Sequence, residues 1–540
     1  MSLAFDEFGR PYLIIKEQAK KLRLKGAEAF KSNIAAARTV ANTIKSSMGP
    51  KGMDKMLQSP DGDIIVTNDG ATIMEKMEVT HPMAKLLVEL SQSQDNEIGD
   101  GTTGIVVLAG ALLEQASSLI DKGLHPLQIA DGFEKACEIA IKRLEEISET
   151  VDVNLNNHEN LKLAAMTSLG SKVVNKCQRK LAEISVEAVL SVADLERKDV
   201  NFDMIKMEGK AGESVDKTRL IEGILLDKNW SHGQMVKDVK EPKICIITAA
   251  FEPPKPQTKH NLELSSAKDY KTLYQIEQNY FKDMVKKVKD SGANVVLCQW
   301  GFDDEANHLL LQNGINAVRW VGGVDIELLS LTTGGAIIPR FSEITPEKLG
   351  KASSCQELSF GTNSEKMILI EKGSKSKAVT ILVRGGNTMI VDEAKRSIHD
   401  SLCVVRNLIK DNRIVYGGGS PELAASLAVQ NSADKISGVE QYAVRAFADA
   451  LENVPYALAD NSGLWPIETV AEAKANQVKT GNPRIGIDCK LVGDSDMKTQ
   501  GVYESFISKK QQFQLATQVV KMILKIDDVI SPDELAQYGG

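Results

Sequence analysis

Residues 99–113 read GDGTTGIVVLAGALL, a turn of glycine, threonine and aspartate that leads directly into an apolar helical segment. Free backbone N–H groups at the start of a helix favour an anion such as phosphate, and Asp100 adds a hard oxygen ligand of the kind that Mg²⁺ binds. The alternative is an ordinary turn in which Thr102 or Thr103 caps the helix, and the spacing alone favours this alternative. The stretch is not a Walker A loop, because it lacks the pattern Gly-x-x-x-x-Gly-Lys-Ser/Thr.

A second glycine cluster, at residues 417–419, stands before another helical segment. Ser420 is a natural N-cap and Pro421 suits the first helical position, so a second helix N-terminus is predicted here. Two such termini in one chain favour a nucleotide site, although three glycines also form an ordinary tight turn. Neither cluster decides between these interpretations alone.

Two further segments offer carboxylates for phosphate chemistry. The sequence TNDG at 67–70 follows a strand-like run, and a turn with left-handed backbone angles is its commonest explanation. The functional interpretation places Asp69 near phosphates. In a later amphipathic helix, Asp392, Arg396 and Asp400 recur at i, i+4 spacing, which usually means a solvated stripe of ion pairs. The alternative is that Asp400 orients the water that attacks a γ-phosphate.

The composition excludes several classes of protein. The chain has 540 residues, too many for one hydrophobic core, and 42% of them are hydrophobic, so several globular domains are expected. The formal net charge is −8 without a local run of Lys or Arg, which argues against a nucleic-acid partner. The seven cysteines form no Cys-x-x-Cys pair, which indicates a reducing, cytoplasmic location. No secretory signal pattern is present and the longest apolar run, 105–113, is too short to span a membrane, so we expect no membrane partner.

The order of the predicted elements indicates an inserted domain. Helical spacing predicts helices over 27–48, 81–93, 104–118, 126–148 and 173–192. Short β-branched runs then predict strands over 243–248, 294–298, 318–321, 367–370 and 379–383, alternating with helical segments such as 303–312. Helices return over 389–408, 422–436 and 441–453. Helical ends that flank an α/β centre are typical of a domain built from both chain ends with another domain inserted.

The stretch 251–288 differs from its surroundings. Three prolines within 253–256 precede polar residues, and a charged helix with an apolar stripe from Leu273 to Val288 follows. A protruding excursion and a plain surface loop before a core helix are equally compatible with this pattern.

Several motifs, in this order along the chain, resemble those of the group II chaperonins. They are AFDEFGRP at 4–11, MGPKG at 48–52, TNDGAT at 67–72, GDGTT at 99–103 and RSIHD at 396–400. The resemblance runs essentially from end to end and is to the eukaryotic members, which form the complex called TRiC or CCT. The stretches QWGFDDEANH at 299–308 and VRWVGG at 318–323 are similar to one branch of its paralogous subunits.

The resemblance implies a multidomain α and α/β fold, the group II chaperonin fold. It divides the chain into a mainly α-helical equatorial ATPase domain (1–150 and 409–540), an α/β intermediate domain (151–220 and 371–408) and an α/β apical domain (221–370). The apical domain would carry a helical protrusion at about 251–288 that serves as a built-in lid.

The resemblance also implies the residues of a site for ATP or ADP. In the family, the residues matching Asp69 and Asp400 support hydrolysis, and the one matching Asp100 binds Mg²⁺. The implied nucleotide-binding residues are Gly49, Gly101, Thr102, Thr103, Gly104, Gly418, Asp488, Glu504 and Lys509. Gly104 departs from the family pattern, because many relatives have Ser or Thr there, and this removes a hydroxyl that could contact phosphate.

The implied function is that of an ATP-dependent chaperone subunit in a hetero-oligomeric, double-ring cytosolic chaperonin. Its partners would be paralogous subunits, unfolded or partly folded clients such as actin and tubulin, and prefoldin. ATP hydrolysis would close the lid, with Asp400 reaching the phosphate when the hinge between domains closes. Two alternatives are a structural ring subunit with little ATPase activity and a small-molecule phosphotransferase, which the same glycines and carboxylates would also serve.

Overall fold

The computed structural model describes residues 2–5, 11–14, 21–58, 62, 64–79, 81–151, 158–253, 266–361, 365–371 and 378–532. The chain divides into unit 1, Met1–Thr150 with Arg413–Gly540, and unit 2, Val151–Asn412. Each unit has its own hydrophobic core. The five domain segments implied above are finer than this division and stay a prediction.

The first part of unit 1 is mainly helical because its apolar residues recur at helical spacing between defined caps. Two helices begin at a histidine followed by proline: His81 Nδ1 accepts a hydrogen bond from Met83 N, and His125 Nδ1 accepts one from Leu127 N. The elements are β1 (Ser2–Phe5), β2 (Pro11–Ile14), β3 (Lys21–Lys25), α1 (Ala27–Lys45), β4 (Lys55–Gln58), β5 (Ile64–Thr67), α2 (Gly70–Lys76), α3 (Pro82–Glu97), α4 (Thr102–Asp121), α5 (Pro126–Ile147) and β6 (Glu149–Thr150).

The described residues of unit 2 alternate strands and helices around three sheets. The elements are α6 (Glu159–Leu169), α7 (Gln178–Val192), β7 (Ile205–Ala211), β8 (Arg219–Ile221), β9 (Gly223–Leu226), β10 (Asp238–Lys240), β11 (Lys243–Ile247), α8 (Ala267–Asp290), β12 (Val295–Cys298), α9 (Asp304–Gln312), β13 (Asn316–Val318), α10 (Gly323–Thr333), β14 (Ile337–Ile338), β15 (Gly350–Lys351), β16 (Ser354–Ser359), β17 (Lys366–Glu371), β18 (Val379–Gly385) and α11 (Thr388–Lys410). The β13-β12-β11-β14 sheet is parallel, with β15 added antiparallel to β11. The β10-β16-β17-β9 sheet is antiparallel, and β18 lies between β7 and β8.

The chain returns to unit 1 with a second mainly helical part. The elements are β19 (Arg413–Tyr416), α12 (Ser420–Ala433), α13 (Glu440–Leu451), α14 (Asn453–Asn461), α15 (Pro466–Thr480), β20 (Tyr503–Ser505), α16 (Phe506–Leu524) and β21 (Asp528–Pro532). These residues pair with the first part, because β21 lies antiparallel to β3 and β19 lies between β20 and β6. Both chain ends therefore build one unit, as the order of elements predicts.

Two predicted elements differ from the structure. The strand predicted over 318–321 ends at Val318, because Trp320 has a φ of 58°, in the left-handed region that interrupts a strand. The helix predicted over 173–192 begins only at Gln178, after a short 3₁₀ turn at Asn175–Cys177. The type of element is correct in both cases, and only its bounds differ.

Helix α8 has features of both interpretations of the stretch 251–288, the protruding excursion and the surface loop before a core helix. Its second half is a core helix, in which Phe281, Met284 and Val288 are buried. Its first half is exposed, with Leu273 and Ile276 open to solvent although they continue the same stripe. Residues 254–265, which complete the predicted protrusion, lie outside the described residues.

Helix α4 lies in the core of unit 1. Ile105, Leu108 and Leu112 are fully buried on it. It is also the one helix, among the described residues, that is long and apolar enough to cross a membrane, and 67% of its most apolar window is buried inside the protein. Gly110 allows α1 to approach closely, since a Cβ at this position would lie 2.3 Å from Ala41 Cβ.

We expect Gly110→Ala to destabilise unit 1, although alanine is the better helix former, because the added methyl group would overlap with Ala41. The free energy of unfolding should fall by about 1–3 kcal/mol, the usual cost of overpacking a core. Native-state hydrogen exchange of the α4 amides measures the change within unit 1. Ala41→Gly in the same chain removes the overlapping methyl group and should restore part of the loss, whereas unchanged exchange in the single variant would contradict this packing.

Candidate functional site

Two helix N-termini meet at Asp69. Asp69 caps α2: its Oδ2 accepts hydrogen bonds from Thr72 N at 3.0 Å and Thr72 Oγ1 at 2.8 Å. Its Oδ1 accepts a further hydrogen bond from Thr102 Oγ1, the first residue of α4, at 3.2 Å. Gly70 permits this approach, because a Cβ there would lie 2.6 Å from Thr103 Oγ1.

The turn predicted at 67–70 is therefore wrong. Asp69 has extended angles (φ −68°, ψ 125°), and Gly70 is already the first residue of a helix. The reason is that β5 runs straight into α2, with the aspartate as the cap between them. The alternative interpretation, which places Asp69 near phosphates, stays a prediction.

The start of α4 also differs from the favoured prediction, in which Thr102 or Thr103 caps the helix. Gly101 is the cap, with a left-handed φ of 78°, and Thr102 lies inside the helix with its hydroxyl on Asp69. A glycine has no side-chain oxygen to place over the first N–H groups of α4. Asp100 stands directly before this cap, and its Oδ1 accepts a hydrogen bond from Gly101 N at 2.8 Å.

Gln512 on α16 supports this turn from the other end of the chain. Its Nε2 donates to Gly101 O at 3.3 Å, and a Cβ on Gly101 would lie only 1.8 Å from the same nitrogen. At Gly104, by contrast, a Cβ would lie 3.5 Å from Gln512 Oε1, which is an ordinary contact. The site therefore has room for the Ser or Thr of the family pattern. No motif marks Gln512, so it could not be predicted from the sequence.

A second group of predicted residues gathers around Leu458. Gly49 has a φ of 88°, and a Cβ on it would lie 2.7 Å from Leu458 Cδ2. Leu458 also lies against Gly419, so that the loop at 417–419 meets the Gly49 turn. Gly418 has a φ of 68° and its carbonyl accepts a hydrogen bond from Ile487 N at 2.8 Å. These loops need glycine for its left-handed angles and close contacts.

Asp488 follows in the same loop as Ile487. Its Oδ2 accepts a hydrogen bond from Gly493 N at 2.8 Å and its Oδ1 accepts one from Gln500 Nε2 at 2.9 Å. Burial alone would raise the pKa of Asp488, but the backbone N–H groups of Gly493 and Val492 outweigh it and hold the pKa below its usual value. Asp488 is therefore a fixed anion beside the 417–419 loop.

The predicted cap at Ser420 is wrong by one residue. Gly419, with a left-handed φ of 75°, caps α12, and Ser420 is the first helical residue. The Ser420 hydroxyl donates back to Tyr416 O at 2.8 Å. As at Gly101, a left-handed glycine replaces the expected hydroxyl cap.

Lys509 lies between two carboxylates. Its Nζ is 2.7 Å from Glu422 Oε1 and 2.9 Å from Glu504 Oε2, and Lys509 and Glu422 are almost fully buried. Burial disfavours the charge on Lys509, yet the two glutamates outweigh it and raise the pKa of Lys509. We therefore expect Lys509 to stabilise these loops through its contacts with other residues of the protein. Glu422, which no motif indicated, completes the group.

Glu504 lies beside Lys509 and the 417–419 loop. A Cβ on Gly417 would lie 2.6 Å from Glu504 Oε1, so the glutamate lies against the 417–419 loop. Burial raises the pKa of Glu504, Lys509 opposes the rise, and Glu422 and Asp100 add to it. Asp100 is therefore among the carboxylates whose charge acts on Glu504.

Asp400 belongs to unit 2 and is buried on α11. Its Oδ2 lies 2.7 Å from Lys172 Nζ, and the two side chains are 9% and 8% exposed. The solvated ion-pair stripe is thus wrong: Arg396 pairs with Glu393, at 2.7 Å, and Asp400 faces Lys172 from another segment. Lys172 follows α6 outside any periodic pattern, so no signal in the sequence could have found it.

The chain belongs to the TCP-1/cpn60 chaperonin family, whose model matches residues 40–534. Among similar proteins is T-complex protein 1 subunit epsilon of Encephalitozoon cuniculi, 49% identical over 530 residues that cover 98% of this chain and 99% of that protein. Thermosome subunit beta of Thermococcus kodakarensis is 41% identical, with 98% and 96% of the two chains covered. A thermosome subunit of Pyrococcus abyssi is also 41% identical, with 98% and 95% covered.

These comparisons confirm the resemblance to group II chaperonins and the predicted fold class. The similarity to an epsilon subunit confirms the branch that residues 299–308 and 318–323 indicate. The predicted function, an ATP-dependent chaperone subunit of a group II chaperonin, is confirmed as well, and membership of the family supports nucleotide binding in general. The roles of the individual site residues stay predictions.

Lys172→Met should destabilise unit 2, because it leaves the buried Asp400 carboxylate without this cation. Removal of one partner of a buried ion pair typically costs about 3–5 kcal/mol. Asp400→Asn in the same chain removes the carboxylate charge that Lys172 balanced and should recover much of the lost stability. Hydrogen exchange of the α11 amides measures the stability of the two single variants and the double variant. Strictly additive changes in stability would show that the two residues do not interact.

Proposed function

We propose that this chain hydrolyses ATP, with Mg²⁺, as one subunit of a double ring of paralogous chaperonin subunits. The observation that carries the proposal is the hydrogen bond from Thr102 to Asp69, which joins the N-termini of α2 and α4 with Asp100 beside them. The N-terminus of α4, which has no side-chain cap, favours phosphate, and the carboxylates supply the groups that phosphoryl transfer requires.

The residues present fit a magnesium nucleotide. Within the described part of the chain, no three His, Cys, Asp or Glu side chains gather into a metal cluster. This suits Mg²⁺, which proteins usually hold through one or two carboxylates together with the phosphates of the substrate. Asp100 would be that carboxylate, while Thr102 and Thr103 would present backbone N–H groups to the phosphates. Mg²⁺ would neutralise phosphate charge there.

The other predicted residues have roles that follow from their positions. Gly49, Gly418 and Asp488 would line the nucleoside, because their loops meet around Leu458. Asp69 would act as a hydrogen-bond acceptor, and Asp400 would orient the attacking water. Asp69 belongs to unit 1 and Asp400 to unit 2.

A ring of subunits would cover an apolar surface that this chain leaves exposed. Strands β4 and β5 form a hairpin, on which Met56 is 72% exposed and Ile64 is 40% exposed, and Met53 beside it is 69% exposed. Exposed apolar surface of this kind marks contacts with other proteins. The relatives are named as subunits, which agrees with such an assembly.

The proposal extends to clients and to a lid. The exposed half of α8 presents Tyr270, Leu273, Tyr274 and Ile276, an apolar surface suited to closing over unfolded or partly folded proteins. Actin and tubulin are the proposed clients, and prefoldin is a proposed partner that delivers them. The proposed location is the cytoplasm, in keeping with seven cysteines of which none forms a disulfide.

Asp100→Ala and Asp400→Ala should separate binding from hydrolysis. Loss of a direct metal ligand should weaken Mg·ATP binding by at least about tenfold, since even indirect partners of such ligands are worth 10–100-fold. Loss of a water-orienting group should instead lower turnover by about 10²–10⁴-fold and leave binding nearly intact. A photoreactive ATP analogue measures binding to this subunit within the particle, beside ATP turnover. Unchanged turnover in Asp400→Ala particles would favour a structural subunit with little ATPase activity.

Electron microscopy of the native particle tests the assembly. We expect a double ring, whereas a monomer would favour a small-molecule phosphotransferase. Met56→Glu should reduce incorporation into the ring, because it places a charge on the exposed hairpin. Val478→Glu is the matched control, since Val478 is 65% exposed on α15, outside the hairpin. Equal incorporation of both variants would contradict the proposed contact.

A further inference from the structure

The chain leaves unit 1 and returns to it along two adjacent strands. β6 is only Glu149–Thr150, and it pairs with β19 at Arg413 and Ile414. The pairing continues past the crossing, because Val151 N donates to Asn412 O at 2.8 Å. Both covalent connections between the units therefore pass through one short antiparallel ladder, which we call the crossing strands (149–151 and 412–414).

Glu149, at the start of the crossing strands, binds three side chains from the second part of unit 1. Its Oε2 accepts a hydrogen bond from Tyr416 OH at 2.7 Å and lies 3.4 Å from Lys498 Nζ, while its Oε1 forms an ion pair with Arg484. The Arg484 guanidinium also lies over the Tyr416 ring, 5.3 Å from its centroid, and the Tyr503 ring packs against Tyr416 at 5.5 Å.

The charge of Glu149 is maintained by these partners. Burial alone would raise the pKa of Glu149, but the hydrogen bonds from Tyr416 and Arg484, with the charge of Lys498, outweigh it and hold the pKa below its usual value. Glu149 is 34% exposed, so it is neither a free surface carboxylate nor a core residue.

The three partners lie on the segments that carry the predicted nucleotide-binding residues. Tyr416 directly precedes the 417–419 loop. Arg484 O accepts a hydrogen bond from Met497 N at 3.1 Å, and a Cβ on Gly418 would lie 2.5 Å from Met497 Sδ. Arg484 also begins the segment that leads to Asp488, and Lys498 follows Met497. One carboxylate thus contacts the flanks of both nucleotide loops.

We propose that Glu149 is a positioning residue that couples nucleotide binding at the 417–419 and 485–488 loops to the order of the crossing strands. The inference rests on the proposed function, because it takes those loops to hold a nucleotide. A nucleotide that orders them also orders Tyr416 and Arg484, and through Glu149 it stabilises β6 against β19. By reciprocity, ordered crossing strands favour the nucleotide-bound loops.

Hydrogen exchange on the assembled particle tests this coupling. The probe is Mg·ADP at saturating concentration, and the peptides that cover 149–151 and 412–416 report on the crossing strands. In the wild-type chain, ADP should slow their exchange by at least about fivefold, the lower end of typical coupling between sites. In Glu149→Gln, ADP binding measured by calorimetry should persist, while the ADP-dependent difference falls below about twofold.

Two further variants make the test specific. Glu146→Gln makes the same change in charge on α5, where Glu146 is 63% exposed and pairs with Arg143, and it should behave as the wild type. Tyr416→Phe removes one hydroxyl without changing the ring and should give an intermediate ADP-dependent difference, which decides the matter if Glu149→Gln fails to fold.

The outcomes separate this inference from the proposed function. A wild-type difference that survives in both Glu149→Gln and Tyr416→Phe would overturn the role of Glu149, as would wild-type particles that bind ADP without any change at the crossing strands. Loss of the difference in Glu146→Gln would also overturn it, because the effect would then follow charge on α5 in general. A wild-type chain that binds neither ATP nor ADP would overturn the proposed function, and this inference with it.

Discussion

Burial of α4 is the constraint on which unit 1 depends. Its apolar residues are enclosed by helices from both ends of the chain, and Gly110 brings α1 into direct contact with it. Removal of apolar surface from water is the dominant favourable term in folding, and a close-packed helix cannot shift without opening voids. The position of Thr102 at its N-terminus, and hence the hydrogen bond to Asp69, follows from this packing. The turn at 99–101 therefore lies at the end of a core helix.

Local patterns in the sequence predicted most of the long helices, because the spacing of apolar residues reports which face of an element is buried, but only a minority of the described strands. The caps were less predictable. At Gly101 and Gly419 the backbone takes a left-handed conformation, so the cap falls one residue before the expected hydroxyl. The Trp320 backbone ends a strand in the same way. Propensity rules cannot anticipate such angles, since tertiary contacts such as that of Gly101 with Gln512 select them.

The supporting residues of the site could not be predicted for a different reason. Gln512 and Gly101 are 411 positions apart in the chain, and Lys509 and Glu422 are 87 apart. Contacts over such distances depend on the completed fold and leave no periodic trace in the sequence. Glycines and carboxylates in short motifs, by contrast, can be recognised from their neighbours in the sequence. For this reason the sequence indicated Asp69, Asp100 and Gly418 but not the side chains that hold them.

Two of the buried charge clusters in the described part of the chain involve predicted site residues. Lys172 pairs with Asp400, and Lys509 pairs with Glu504 and Glu422. A buried ion pair contributes little net stability compared with apolar residues of the same volume, because the loss of hydration offsets the attraction between the charges. Stability alone therefore does not explain these lysines. In the proposed function, they fix the direction of carboxylates that act on the nucleotide.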